Sequence, residues 1–292
     1  MRELTFTVPP EFDGRTVKFC LYRGLHFAEG QLKSLRWQPG AVTKQGAPVR
    51  MMDPVAAGDT ITVTLKEKKT GEFTPAALPL SILYEDEDLL IVDKPAGLAV
   101  HGRSEKGDPT LGSALAYHYG KDWVFRPVNR LDKDTSGAMV IAKSGYIHDR
   151  LRNQLHIDGF TREYRAIAGG IVTPIRGVID RPIGRSGDGW KRTVCPEGQP
   201  ALTVYETLAA NAQATLLRVC PETGRTHQIR VHFASLGHPL LGDWLYGGDC
   251  TRLQRQALHS SRVRLIQPVT GAEVDVTAPM PADLSALLQE LF

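Results

Sequence analysis

The alternation of apolar and polar residues changes character about a quarter of the way along the chain. Residues 1–66 have the mixed pattern of a compact α+β unit, which ends in a turn and a β-branched strand at residues 53–63. The lysine- and proline-containing stretch that follows has the composition of a linker. We therefore predict a small domain over residues 1–70, a linker over 71–80 and a larger domain over 81–292.

The larger domain alternates irregularly between short strands and single helices, without the regular cadence of a doubly wound parallel sheet. Apolar and β-branched runs predict strands at residues 89–92, 138–143, 164–167, 202–208 and 215–220. Apolar residues at helical spacing predict helices around Leu115, Leu151 and Leu287, the first of them capped by Asp108 and Pro109. The pattern favours an α+β domain with a largely antiparallel sheet.

Composition narrows the class of protein. A chain of 292 residues with 42% hydrophobic and 23% charged residues is long enough for one large core and a small appended domain. No run approaches the roughly 18 apolar residues of a membrane helix, and the N-terminus does not resemble a signal peptide, so we predict a cytoplasmic protein without membrane contact. The four cysteines are scattered and have no histidine at metal-ligand spacing, so neither a disulfide nor a metal site is expected.

The charge of the chain is unevenly distributed. Residues 1–80 carry eleven lysines and arginines against eight acidic residues, a surplus equal to the whole net charge of +3. Affinity for phosphates depends on clustered positive charge and not on the total. The distribution is therefore only a weak indication of a basic N-terminal module.

Two polar segments combine charged residues with turn formers. Residues 126–137 lie directly before a predicted strand, at a sheet edge, and include Asp132, which on its own loop is more often an Asx-turn residue than a catalytic group. Residues 221–233 predict an amphipathic helix that begins at Thr223 or Gly224. Two arginines and two histidines within eight residues of this segment exceed what a helix start requires.

Two further segments also have a plain structural explanation. Residues 161–170 form an alternating strand that places Tyr164 and Ala166 on one face and the charged residues on the other. A strand tyrosine is usually part of the core. Residues 92–98 are a strand followed by a proline–glycine turn, for which loop geometry is a sufficient reason.

Taken together and in this order, the four segments resemble the RNA pseudouridine synthases of the RluA family. The matching stretches are residues 94–97, 130–137, 164–166, 192–205, 224–232, 237–243 and 258–259. The resemblance covers about residues 80–280, and an ordered set of motifs is far more specific than a single one.

The resemblance implies a pseudouridine synthase fold, no metal or cofactor, and a monomer that acts on structured RNA, ribosomal or transfer, and not on DNA. It implies that Asp132 is the nucleophile, which attacks either carbon 1 of the ribose or carbon 6 of the base. Arg230 would pair with Asp132 and keep it ionised. Tyr164 would lie against the uracil and help to remove the proton from carbon 5.

The resemblance also implies how RNA is held. Arg130, next to the nucleophile, is expected to fill the space that an extruded uridine leaves. The other RNA-binding residues that we predict are Lys94, Leu131, Lys191, Arg192 and Arg225.

The N-terminal region is similar, less specifically, to the RNA-binding domain first known in ribosomal protein S-four. The matching positions are Gly14, Arg15, Val42, Lys44, Gly46 and residues 58–61. Thr16 and Val17 depart from the usual leucine and aspartate, so a degenerate spacer is an alternative.

Some alternatives stay open. Asn129 stands where many family members have histidine, and we interpret it as a local loop contact. A catalytically silent RNA-binding or ribosome-assembly protein on the same fold is the main alternative. A glycosidase that pairs Asp132 with Glu222 or Asp134 is another. Neither the RNA nor the target uridine follows from the sequence.

Overall fold

The computed structural model describes residues 2–66, 73–102, 108–155, 159–187, 189 and 191–292. Residues 67–70 lie outside this set, and so do residues 71 and 72 of the predicted linker. The described part of that linker packs on the larger unit, because the Phe73 and Phe125 rings meet edge to face at 5.6 Å and the Ala76 N–H donates to the Ser113 carbonyl at 3.1 Å.

A small antiparallel sheet and two helices form the N-terminal unit. Its strands are β1 (Arg2–Thr7), β2 (Val42–Lys44), β3 (Ala47–Pro48) and β4 (Thr60–Leu65), in the order β1-β4-β2-β3. Its helices are α1 (Val17–Arg23) and α2 (Glu29–Arg36). Thr16 caps α1, since its hydroxyl oxygen accepts a hydrogen bond from the Phe19 N–H at 3.2 Å.

A nine-stranded sheet organises the rest of the chain. Its strands are β5 (Ser81–Glu85), β6 (Leu89–Lys94), β7 (Ser136–Ala142), β8 (Thr161–Gly169), β9 (Arg176–Asp180), β12 (Leu202–Ala210), β13 (Ala214–Pro221), β14 (Leu258–Ile266) and β15 (Glu273–Thr277). The order is β5-β6-β7-β14-β8-β13-β12-β9, with β15 beside β14. Only the β7–β14 pair is parallel, so the predicted, largely antiparallel sheet is confirmed. The strands β10 (Ile183–Arg185) and β11 (Arg192–Val194) form a separate antiparallel pair.

The sheet is covered on both faces at its centre. All seven residues of β7 are buried, which is typical of a strand between two packed layers. Val140 packs toward α4 (Gly145–Gln154) and the N-terminal unit, whereas Met139 and Ile141 pack toward α3 (Leu111–Tyr119) and α5 (Gln228–Ser235). The helix α6 (Ala282–Leu291) closes a smaller core with Leu284 and Leu287.

Two helix starts differ from the prediction. Thr110, and not Asp108, caps α3, because the Thr110 hydroxyl accepts from the Ser113 N–H at 3.2 Å. The helix α5 begins at Gln228, several residues later than Thr223 or Gly224. The residue before it, His227, has a left-handed backbone with φ of 59°, which holds the preceding segment away from helical geometry.

The N-terminal unit is packed directly on α4. The Phe27 and Tyr146 rings lie 4.5 Å apart, and the Tyr146 hydroxyl donates to the Leu25 carbonyl at 2.7 Å. Gln31 adds a hydrogen bond to the Asp149 carboxylate at 2.8 Å. The N-terminal unit and the larger sheet therefore share a continuous core, to which α4 contributes Tyr146, Ile147 and Leu151.

None of the helices in the described part of the chain is both long enough and apolar enough to cross a membrane.

Candidate active site

A cavity of about 510 Å³ opens where four parts of the fold meet. These parts are the loop at residues 127–135, helix α4, strand β8 and the segment at residues 221–230 that enters α5. The polar side chains that line it are Asn129, Arg130, Asp132, Thr135, His148, Arg152, Arg162, Tyr164, Glu222, Thr223, Arg225, Thr226, His227, Gln228 and Arg230. The three predicted catalytic residues, which come from three distant parts of the sequence, thus line one cavity.

The loop that carries Asp132 is anchored on its far side by buried side chains. Thr135 accepts a hydrogen bond through its hydroxyl oxygen from the Gln256 amide at 3.0 Å. Arg255 donates to the Asp134 carbonyl at 3.2 Å. The sequence predicts this loop at an edge of the sheet. In the structure it instead lies directly before β7, the third strand in the sheet order. Its backbone is therefore held between neighbouring strands.

The exit of this loop requires a glycine. Gly137 has φ of 110°, and a Cβ atom there would overlap the carbonyl oxygen of Ser260 on β14. The close approach allows Ser136 to bond the buried His259, with 3.0 Å between the hydroxyl oxygen and Nδ1. The start of β7 is consequently fixed against β14 directly behind Asp132.

Lys94 is a structural residue and not an RNA contact, which corrects the prediction. Its side chain is fully buried, and its ammonium group donates to the carbonyls of Pro95, Leu98 and Lys133 at 2.7, 2.8 and 2.8 Å. Burial lowers the pKa of Lys94 to about 8, while the negative charges of Asp134 and Asp132 oppose that shift. The third carbonyl belongs to the residue that follows Asp132, so Lys94 helps to hold the loop that carries Asp132.

Arg230 is held between two carboxylates. Its Nε and Nη2 donate to both oxygens of Asp243, at 2.7 and 2.8 Å, and its Nη1 donates to Asp132 at 3.0 Å. The Asp243 side chain is 0% exposed and that of Asp132 is 25% exposed. Burial alone would lower the pKa of Arg230, but the hydrogen bonds and charge of Asp243, together with the charge of Asp132, raise it above its ordinary value. The bidentate pair fixes the guanidinium, and the single remaining contact orients Asp132 toward the cavity.

The segment after α5, at residues 242–246, supports the same guanidinium. The ring of Tyr246 lies under Arg230, with 5.1 Å between the guanidinium carbon and the ring centre, and its hydroxyl lies 2.9 Å from His227 Nδ1. Gly242, directly before Asp243, has φ of 74°, and a Cβ atom there would overlap the carbonyl oxygen of Arg255. The backbone of this segment thus brings Asp243 and Tyr246 to the guanidinium of Arg230.

Tyr164 lines the cavity from strand β8 and is only 6% exposed. Burial raises the pKa of its phenol. Arg162, two residues earlier, lines the same cavity, although the strand pattern had placed the charged residues on the opposite face. The two side chains share a face because residues two apart in a strand point the same way.

The predicted RNA-binding residues are divided between the cavity and its surroundings. Arg130 is exposed at the cavity opening, Leu131 is 7% exposed on its wall, and Arg225 lines it with its Nε donating to the Pro200 carbonyl at 2.9 Å. Lys191 and Arg192 do not line it. They stand beside Tyr246, with Lys191 Nζ 5.7 Å from the ring centre and the Arg192 N–H donating to the hydroxyl at 3.0 Å.

Comparison with known proteins identifies the family of this chain. A family model described as RNA pseudouridylate synthase matches residues 88–235, which contain Asp132, Tyr164 and Arg230. An uncharacterized RNA pseudouridine synthase of Bacillus subtilis, YhcT, is 43% identical over 244 residues, covering 82% of this chain and 81% of its own. The chain belongs to the RNA pseudouridine synthase family.

A second curated relative and a solved structure indicate the subfamily and the fold. Ribosomal large subunit pseudouridine synthase D of Pseudomonas aeruginosa is 40% identical over 271 residues, covering 86% of this chain and 84% of its own. A solved structure of human RNA pseudouridylate synthase domain containing 1 has a TM-score of 0.59 and 30% identity, covering 70% of this chain and 85% of that one. The protein is therefore an RNA pseudouridine synthase of the RluA family, an isomerase with the corresponding fold.

The synthase cavity contains residues that sequence reasoning missed. His148 and Arg152 reach it from α4, and Arg162 from β8. The spacing of four residues between His148 and Arg152, on the helix face beside the apolar stripe, was an available signal. Asp243 lies in one of the stretches that match the family, but the sequence assigned it no role. The structure shows that it binds Arg230.

Positive side chains outnumber negative ones around the cavity. Burial lowers the pKa of His148 and of His227, so both imidazoles are neutral near pH 7. Arginines at the opening face solvent, whereas Arg230 inside is neutralised by carboxylates. Within the residues that the structure describes, no group of three or more His, Cys, Asp or Glu side chains is placed to hold a metal ion.

The inner wall is Asp132, Tyr164, Arg230 and, behind them, Asp243. The rim is Arg130, Arg152 and Arg225.

Proposed function

We propose that this synthase converts specific uridines of structured RNA to pseudouridine with Asp132 as the nucleophile. The observation that carries the proposal is the difference in burial and hydrogen bonding between the two carboxylates that bind Arg230. Asp243 is fully enclosed and takes two hydrogen bonds, whereas Asp132 takes one and keeps a quarter of its side chain open to the cavity. An oriented carboxylate with a free oxygen is the group that covalent catalysis requires.

Pseudouridine formation breaks the bond between ribose carbon 1 and base nitrogen 1, turns the base and rejoins it through base carbon 5. The reaction needs a carboxylate for a covalent intermediate and contacts that retain the detached uracil. It needs no change of oxidation state and no cofactor. Asp132 attacks either ribose carbon 1 or base carbon 6, after which the proton on carbon 5 must be removed.

Tyr164 serves as the stacking surface for uracil. Its ring is buried in the cavity wall, and an aromatic ring stacks on a base without demanding its identity. The raised pKa keeps its phenol protonated at neutral pH. Stacking is consequently better supported than proton removal by a tyrosinate.

The rim grips the RNA around the extruded uridine. Arg130 is exposed next to the nucleophile, where a planar guanidinium can enter the vacated stack. Arg152 and Arg225 flank it and can bind phosphates, which fixes position along the RNA. The N-terminal unit, fastened to α4, extends this surface as an S-four-like RNA-binding domain.

Large-subunit ribosomal RNA is the first candidate substrate, because relatives at about 40% identity are named for that subunit. Transfer RNA is the second. We place the enzyme in the cytoplasm, as a monomer without a metal.

The test is tritium release from RNA that carries uridine labelled at carbon 5. The wild-type protein should release tritium from an unmodified large-subunit ribosomal RNA transcript or from transfer RNA transcripts, and Asp132→Asn should lower the rate by at least about 10⁴-fold. RNA affinity should change much less. Wild-type release from Asp132→Asn would remove the nucleophile assignment. No release by the wild type, with tight binding, would indicate the silent RNA-binding protein, and release of free uracil would indicate a glycosidase.

A further inference from the structure

Asn129 carries a buried hydrogen-bond donor without a partner on the wall of the cavity. The residue is 5% exposed and lines the cavity three positions before Asp132. Its Oδ1 accepts the Val140 N–H at 2.8 Å, which fixes the orientation of the amide. Its Nδ2 is buried and has no hydrogen-bond partner among the residues that the structure describes. The sequence had suggested a local loop contact, and that contact accounts for only half of the side chain.

An unpaired buried amide donor is unusual in a folded protein, because leaving it unmade costs free energy that a partner would recover. Several other buried polar side chains on this wall are engaged. Thr135 bonds Gln256, Arg230 bonds two carboxylates, and the Gln228 amide bonds the Leu202 carbonyl and the hydroxyls of neighbouring threonines. A second unpaired donor, Arg162 Nε, lies on the same cavity wall.

The chemistry of the missing partner follows from its surroundings. It must be a hydrogen-bond acceptor and it must enter the cavity from outside. A phosphate oxygen does not suit this depth, because its charge would be buried beside the Asp132 carboxylate. A neutral carbonyl oxygen does, and uracil has two.

We propose that Asn129 donates a hydrogen bond from Nδ2 to a carbonyl oxygen of the target uracil and so positions the base for Asp132. This inference rests on the proposed function. Because Oδ1 is held by β7, the donor is fixed before the base arrives, and the contact orders no side chain on binding. The bond also retains the base once it is detached from ribose, since it does not depend on the glycosidic link.

Three substitutions separate the donor from the loop contact. Asn129→His keeps both functions, because one imidazole nitrogen accepts and the other donates. Asn129→Asp keeps only the acceptor for Val140, and Asn129→Leu keeps neither. We expect kcat/KM for tritium release to fall about tenfold or more in the Asp and Leu variants, as for an unpaired buried acceptor. The His variant should stay within about threefold of the wild type.

Other patterns overturn the proposal. A loss in Asn129→Leu alone means that only the loop contact matters. A loss in Asn129→Asp alone means that the added negative charge beside Asp132 is the cause. Wild-type values in all three variants mean that the residue plays no part. If the wild-type protein itself releases no tritium, the proposed function fails, and the same four proteins are compared by their dissociation constants for the transcripts, where the same pattern is required.

The identity of the acceptor is tested from the substrate side. Sulfur is a weaker acceptor than oxygen, so transcripts with 2-thiouridine or 4-thiouridine in place of uridine weaken one carbonyl at a time. Rates are followed by chromatography of the digested nucleosides. One of the two replacements should clearly narrow the difference between the wild type and Asn129→Leu, and what is left of that difference reflects the lost contact to Val140. If both replacements leave the full difference between them, the partner is not a uracil carbonyl.

Discussion

Both the inner wall and the rim of the cavity contain arginine, but the arginine of the wall is held far more tightly than those of the rim. The side chain of Arg230 in the wall is 7% exposed, and its guanidinium is hydrogen-bonded to two carboxylates and lies over an aromatic ring. Arg130 and Arg152 in the rim are exposed. The wall is thus assembled before RNA arrives, whereas the rim is free to adjust to a flexible backbone.

This difference follows from what each region must recognise. A reaction at one carbon atom needs groups held to within a fraction of an ångström, and misplacement by about 1 Å costs about 100-fold in rate. Phosphates are recognised mainly by charge, which tolerates variation in geometry. Wall substitutions should therefore lower kcat, and rim substitutions should change binding and its salt dependence.

The largest effect short of losing the nucleophile is expected for Asp243→Asn. This variant keeps the shape but removes the charge that fixes Arg230, so kcat should fall by about 100-fold with a smaller change in KM. The matched control is Asp275→Asn, because Asp275 forms an exposed bidentate pair with Arg262 away from the cavity. Equal kcat values for the two variants would show that Asp243 does not act through Arg230.

A smaller effect is expected for Arg130→Ala, because Arg130 belongs to the rim but lies next to Asp132 of the inner wall. If this guanidinium fills the space left by the uridine, the single-turnover rate should fall by about tenfold, the scale of one lost stacking contact. RNA affinity should change less than the rate. If neither quantity changes, the flipping role of Arg130 must be abandoned.

Arg152→Gln tests the rim as a phosphate-binding surface. Its dissociation constant for RNA should rise about threefold at moderate salt, and the slope of log affinity against log salt should shrink by about 0.7 to 0.9 for one lost phosphate contact. kcat should be unchanged. Arg176→Gln is the control, since Arg176 is 79% exposed on β9 at the far edge of the sheet. The same loss in both variants would mean that the rim has no special role.

The smallest effect concerns the buried support of the wall. His232 and His259 are fully enclosed, and burial lowers the pKa of each. The unfolded chain therefore binds protons more readily than the folded protein below about pH 6.5, so the free energy of unfolding should fall as the pH drops from 7 to 5. Urea unfolding at several pH values measures this. A pH-independent free energy of unfolding would contradict the neutral state of these imidazoles.

Periodicity predicted most of the elements because their apolar residues are the buried ones. The strand β7 is buried along its whole length, and α4 buries one face through Tyr146, Ile147 and Leu151. It failed where tertiary contacts override local signals. The left-handed His227, held by Tyr246, delays the start of α5, and Thr110 displaces Asp108 as the cap of α3.

The site was recognisable mainly through motif order. Asp132 and Arg230 are 98 residues apart, and nothing in either local segment indicates their contact. A lysine in a motif of the family was predicted to bind RNA, but the burial of Lys94 against three carbonyls depends on how two loops meet. The unpaired amide of Asn129 is likewise a property of packing and not of sequence.

The most direct test of the account is a map of pseudouridines in ribosomal and transfer RNA from cells that carry either the wild-type gene or the Asp132→Asn allele. A single substitution in the inner wall leaves the rim and the N-terminal unit in place, so RNA binding is preserved while the chemistry is removed. We expect at least one pseudouridine that is present with the wild-type gene to be absent with the Asp132→Asn allele, as in cells that lack the gene. A pseudouridine lost on deletion of the gene but retained with Asp132→Asn would contradict it.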